Sequence, residues 1–168
     1  MKKPDMKVSK VATTLEDVRS MTRNQMVANA REILSKLTRK DKQGRVVVHN
    51  DDIEKDIVIG KRGIEHGLDR NYEYTAIVFM HLDSYLKHAI KINEAVADGK
   101  RNFDSDILLG YGENQAGEKI SAYFVVSRLL TGQDELIEFG SLYSVRAKNS
   151  RRFCTRQPGG SIPYFYYY

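Results

Sequence analysis

Past Gly99 the hydrophobic period of this sequence changes, and no other feature limits its fold as strongly. Upstream, from Tyr74 to Val96, apolar residues return every three or four positions: Ile77 or Val78, Leu82, Tyr85, Leu86, Ala89, Ile92 or Asn93, and Val96. That spacing predicts a single long helix, with Gly99 as its stop. Downstream, "DILLGYG", "KISAYFVVSRLL" and "LIEFGSLYSVRAK" are strand-like, and the intervening "ENQAGE" and "TGQDE" have the composition of hairpin turns.

The first half adds another helix and two more strands. In "TRNQMVANAREILSKL", Thr22 and Gln25 have capping-box spacing, and Met26, Val27, Ala30, Ile33, Leu34 and Leu37 form one apolar face. Arg39, Lys40 and Lys42 follow at its C-terminal end, where the helix dipole favours cations. "RVVVHN" reads as a strand stopped by the Asn50-Asp51-Asp52 turn, with His49 as a turn residue, and "DIVIG" as its hairpin partner. These elements predict an α+β fold, an antiparallel sheet of four to five strands packed against two main helices. Residues 1–20 read as a loose lead-in, 21–149 as one domain, and 150–168 as a basic and then aromatic tail.

Charge is unevenly placed on a chain of 168 residues and net +5. Residues 1–50 carry 12 Lys and Arg against 5 Asp and Glu, and residues 51–100 carry 7 against 10. From Val145 onward five cations (Arg146, Lys148, Arg151, Arg152, Arg156) meet no acid. Basic ends around an acidic middle favour a polyanionic partner, nucleic acid foremost, although a solvated basic surface has the same pattern. No apolar run approaches membrane-spanning length and no apolar segment follows the basic start, so neither a membrane partner nor a signal peptide is expected. Cys154 is the one cysteine, which excludes an intrachain disulfide. A cytoplasmic protein of a cell, or of a phage replicating in one, fits best.

The string "IVIGKRGIEHGL" carries the strongest chemical signal. Gly60 and Gly63 allow a tight reversal at the end of a strand, Lys61 and Arg62 lie on it, and Ile64 opens a helical turn that would present His66. Free amides beside two cations suit an anion, but an ordinary surface turn containing a histidine reads the same way. It is not a nucleotide-binding P-loop, since no Ser or Thr follows the lysine. His81 and His88, two turns apart on the predicted long helix, lack the close spacing and carboxylates of a metal site, and no metal or cofactor is expected. In the late strands, alternation groups Ala122, Phe124, Val126 and Arg128 apart from Tyr123, Val125, Ser127 and Leu129, and Leu142, Ser144 and Arg146 apart from Tyr143, Val145 and Ala147. A face that mixes Ser, Arg and Tyr suits solvent or a phosphodiester. Metal-free RNA cleavage needs a base, an acid and cations, and His, Lys, Arg and Tyr cover those roles. "PYFYYY" could stack bases, or serve as a packing tail.

The order of "AREILSKL", "DIEKDIVIGKRGIEHGL", "LDSYLKHAIKINEAV", "YFVVSRLL" and "LYSVRAK" resembles a domain of the large polyvalent proteins of phages and conjugative elements. The same domain occurs at the C-terminus of Mu-F-type phage head proteins and is placed among the barnase/EndoU/RelE-like ribonucleases. The resemblance covers roughly residues 21–148. It implies helices packed on an antiparallel sheet and metal-independent RNA cleavage. Matched position by position, the basic and histidine residues would be Lys61, Arg62 and His66, and the late-strand residues Ser127, Arg128, Tyr143 and Ser144. The acid of barnase-type catalysis has no counterpart here, because Glu65 beside His66 would point elsewhere on a helical turn.

Three functions remain open on the sequence. The first is a nuclease-like domain: His66, Arg128 and Tyr143 would be catalytic, and Lys61, Arg62, Ser127, Ser144, Arg146, Lys148, Arg151 and Arg152 would bind nucleic acid. The second is a non-catalytic phage accessory or counter-defence protein of the anti-CRISPR type, gripping nucleic acid or a host nucleoprotein. The third is a head-associated interaction module. A toxin-like ribonuclease would also need a cognate inhibitor, and an edge strand with the aromatic tail leaves room for a homodimer.

Overall fold

A computed structural model of the chain describes residues 7–36, 45–60, 72–95, 104–130 and 136–149, excluding the side chains at 72, 128–130, 136–139, 141 and 143. The expected α+β class is what the chain forms, in three layers.

The first two helices start where capping chemistry places them. Thr22 accepts from the Gln25 amide at 3.3 Å, and the Gln25 side chain accepts from the Thr22 amide at 2.8 Å. Two orphan donors are thereby satisfied where α2 (Arg23–Ser35) begins. Met26, Ala30 and Leu34 are its buried stripe. The same device recurs upstream, where Thr14 and Asp17 exchange bonds of 3.2 and 2.9 Å and start α1 (Leu15–Arg19). With β1 (Val8–Val11) before it, this corrects the expectation of a loose lead-in.

The predicted long helix is three elements. α3 (Tyr72–Met80) and α4 (Leu82–His88) are separated at His81 (φ −127°, ψ 27°), and Ile90–Ala95 is strand β4. The cause of the second break lies far away in sequence. The buried Asn50 side chain donates to the carbonyls of Leu86 at 2.6 Å and Ala89 at 2.8 Å, and the Asp51 amide donates to the Lys87 carbonyl at 3.0 Å. Carbonyls at the end of α4 thus find partners outside the helix, and Ala89 turns extended. On its other side Asn50 accepts from the amides of Asp52 and Ile53, at 3.1 and 2.9 Å, which shapes the turn between β2 (Val46–Asn50) and β3 (Lys55–Ile59).

The remaining strands are β5 (Ser105–Asn114), β6 (Lys119–Leu130) and β7 (Leu136–Asn149). The sheet has seven strands in the order β1-β5-β6-β7-β3-β2, with β4 also paired to β5. β4 takes the first half of the outer edge of β5 and β1 the second half. The hairpins read from sequence, β2–β3, β5–β6 and β6–β7, are antiparallel. Two pairings, β1–β5 and β3–β7, are parallel, so the sheet is larger and more mixed than the four to five antiparallel strands expected.

One face of the sheet carries the core. Leu108, Phe124 and Val145 stand side by side on it in register, with Ile120, Ala122, Val126 and Ala147 around them, all buried. α3 lies on β6 and β7 and is itself covered by α1 and α2. That position explains why Ala76, Ile77, Val78 and Phe79, all around the helix, are at most 1% exposed. α4 packs on β5, where Gly110 and Gly112 let Tyr85 lie close to the strand. A Cβ at Gly112 would fall 2.1 Å from the Tyr85 hydroxyl oxygen.

Candidate nucleic-acid interface

Alternation fixes what the opposite face of the sheet presents. Since Leu108, Phe124 and Val145 point to the helices, their neighbours point away from them. On β5 these are Ile107, Leu109 and Tyr111; on β6, Ser121, Tyr123, Val125 and Ser127; on β7, Ser144, Arg146 and Lys148. Register assembles them into cross-strand rows: Tyr111–Ser121–Lys148, Leu109–Tyr123–Arg146 and Ile107–Val125–Ser144. β1 extends the first row, with Val8 opposite Tyr111 and 58% exposed. It also places Lys10 opposite Glu113, which pairs with Lys119.

The surface is therefore cationic and aromatic at one end. Arg146 and Lys148 are exposed, and Tyr111 and Tyr123 are half-buried. Burial holds the Tyr123 phenol above its ordinary range, and the charge of a neighbouring Tyr111 phenolate adds to the effect. The two rings are thus electrostatic neighbours, as their diagonal register positions require. Along the sheet from them the face becomes small and dry. Ser105 and Ser127 face each other there, both buried, and among the described residues the Ser105 hydroxyl has no hydrogen-bond partner.

Of the residues singled out in the sequence, Ser127, Ser144, Arg146 and Lys148 come together on this face. Strict alternation groups Ser144 and Arg146 with Leu142, and the structure corrects that grouping. A register shift between the Val125 and Val126 rungs separates them: Ser144 pairs with Val125, whereas Leu142 pairs with Val126 and joins the core. Tyr143 falls at that shift, and Arg128 pairs with Gly140; both lie on described backbone, and their side chains lie outside the described residues. Lys61, Arg62, His66, Arg151 and Arg152 lie outside the described residues altogether. β3, which leads into the Lys61–His66 string, runs parallel to β7 with Val58 opposite Ser141. The chain consequently leaves the sheet at Ile59 in the direction of the β7 residues that follow Ser141.

Three described histidines sit elsewhere. His49 is within the β2 ladder rather than in a turn, and its Nδ1 lies 2.8 Å from the Asp56 carboxylate across the hairpin. His81 meets the Thr13 hydroxyl at 3.0 Å, and burial lowers its pKa against the opposing charge of Asp83. His88 Nδ1 is 3.7 Å from an Asp51 oxygen. His81 caps the start of α4 and His88 ends it, so the two histidines flank one short helix rather than lie within a long one. Among the described residues no three His, Cys, Asp or Glu side chains are grouped to hold a metal ion, and no helix is long and apolar enough to cross a membrane.

Tyr111 and Lys10 are site residues that sequence reasoning misses. Tyr111 has a visible signal, alternation within "DILLGYG", but its row partners require the register of β5 on β6. Lys10 has none, because nothing in its polar surroundings marks β1 as a strand. Comparison of the chain with family models, curated proteins and solved structures gave no match.

Proposed function

We propose that the chain is a nucleic-acid-binding protein that holds RNA on the sheet face turned away from its helices. The observation that carries this reading is the alternation of Ser144, Arg146 and Lys148 along β7, in register with Val125, Tyr123 and Ser121. Exposed cations beside half-exposed tyrosines offer phosphate contacts and base contacts on one surface. Lys10 and Lys119 flank Glu113 in the next row, which adds one net positive charge at the same end.

A second reading, metal-independent RNA cleavage, has a separate observation in its favour. The strand that leads into "GKRGIEH" ends beside Ser141 of β7 and runs parallel to it, toward the later β7 residues that carry the cations. On this reading His66 exchanges protons with the reacting ribose and leaving oxygen, Lys61 and Arg62 hold the phosphate, and Arg128 and Tyr143 assist. The resemblance to nuclease-like domains of phages and mobile elements supports such an origin. If catalysis is absent, the same surface serves a phage accessory or counter-defence protein that grips nucleic acid or a host nucleoprotein.

Labelled RNA incubated in EDTA with the wild type and with His66→Ala separates the readings. Cleavage by the wild type alone supports the nuclease. A salt-sensitive complex without cleavage supports the binder. No complex and no cleavage at low salt would refute both.

A further inference from the structure

Resting on the sheet face as the RNA surface, we propose that Tyr111 and Tyr123 make it selective for single strands: their rings stack on unpaired bases while Arg146 and Lys148 hold the adjoining phosphates. Tyr111 stands opposite Ser121 and Tyr123 opposite Leu109, so the tyrosines are diagonal neighbours on adjacent strands. Such positions are roughly 7–8 Å apart, within reach of two aromatic side chains. The residue that separates Tyr111 from the Lys148 position is Ser121, small and fully buried, with its hydroxyl donating to the Lys148 carbonyl at 3.4 Å. Among the described residues, nothing bulky on β6 therefore stands between Tyr111 and Lys148.

The chemistry of this end selects one ligand. A pair of rings flanked one strand away by Arg146 and Lys148 matches a chain that alternates flat bases with phosphates. Sheet-borne aromatics stack bases splayed out of a single strand, whereas a duplex keeps its base faces stacked internally and offers mainly phosphates and ribose hydroxyls. A duplex would thus engage the cations and leave the rings idle. Phenols on a sheet also pack against cross-strand neighbours for stability alone, so the test compares ligands as well as variants.

The probes are a fluorescein-labelled oligouridine and a duplex RNA of equal length, titrated at low salt in EDTA and followed by anisotropy. The wild type should bind the oligouridine about tenfold tighter or more, the worth of stacking on two rings. Tyr111→Leu and Tyr123→Leu should each lose roughly fivefold or more for the oligouridine with duplex binding unchanged, and the Phe variants should bind as the wild type does. Leu variants that bind the single strand normally, or that lose both ligands equally, would overturn the inference and leave the RNA surface standing. Absence of any binding by the wild type would overturn the surface itself. Photocrosslinking of the wild type to 5-iodouridine RNA needs no variant to fold: adducts on Tyr111 or Tyr123 support stacking, and adducts only elsewhere contradict it.

Discussion

Tyr123 of β6 and Arg146 of β7 are directly paired across an antiparallel ladder, on the sheet face away from the helices. The neighbouring rungs place Lys148 beside Ser121 and Ser144 beside Val125. The cations are exposed, whereas the core lies on the other side of the sheet. Charge reversal at Arg146 or Lys148 should therefore leave the fold intact. Each cation also has a local partner, so urea denaturation of Arg146→Glu and Lys148→Glu should show a cooperative transition with a loss of about 1 kcal/mol or less.

Gly112 should tolerate no side chain. Its Cβ position lies 2.1 Å from the Tyr85 hydroxyl oxygen and 2.8 Å from a Val11 methyl. Gly112→Ala must displace a buried ring and strand β1, at a cost of about 1–3 kcal/mol. Tyr85→Phe removes only the hydroxyl that donates to the Ile120 carbonyl at 3.2 Å, and should cost about 1 kcal/mol. The double variant Gly112→Ala/Tyr85→Phe should be less unstable than the sum of the two, because the clash loses its nearest atom. Denaturation midpoints of the four proteins measure this coupling directly.

Asn50 is a structural staple. It donates twice to α4 and its C-cap, and accepts twice from the β2–β3 turn, with its side chain fully buried. Asn50→Ala would strand the buried carbonyls of Leu86 and Ala89 and two half-buried turn amides, and should cost about 2–4 kcal/mol. Hydrogen exchange should accelerate at Asp52 and Ile53 well before it does in the centre of β6. Unchanged stability would contradict the role.

Stability should fall on acidification, in part through His81. Burial places its folded pKa below the ordinary value of 6.5, with Asp83 opposing. Above 6.5 the ring is neutral in both states and imposes no penalty. Below it the unfolded chain takes up a proton that the folded chain resists, so stability declines until the folded pKa is reached. His81→Asn should flatten the difference in urea midpoint between pH 7.5 and pH 5 relative to the wild type. An equally steep decline in the variant would assign the effect elsewhere.

Local signals in the sequence serve well where the deciding interaction is local. The Thr22–Gln25 capping box and the Met26, Ala30, Leu34 stripe of α2 stand in the structure as their spacing predicts. The alternation of Ala122, Phe124 and Val126 likewise marks the buried face of β6. Thr14 and Asp17 carry the same capping signature, which the polar, charged flanks obscure. The long helix fails for a different reason. Asn50 ends α4 from 36 residues away, an interaction that no window of helical periodicity contains. "IKIN" does alternate apolar and polar residues, which is the mark of β4 that the helical count absorbs. The site is half legible. Ser144, Arg146 and Lys148 share a face by their period of two, but only strand register sets them beside Tyr123 and Tyr111.

The salt dependence of RNA binding tests the central claim most directly. Affinity of the wild type for a short single-stranded RNA should fall steadily as salt rises, because phosphate contacts release counterions. Replacing Arg146 and Lys148 together with Glu should weaken binding at low salt about tenfold or more and reduce the log–log slope by roughly 1.4, about 0.7 for each phosphate of a single strand no longer neutralised. A wild type that ignores RNA at low salt, or a double variant that binds with unchanged affinity and slope, would contradict the assignment of this sheet face.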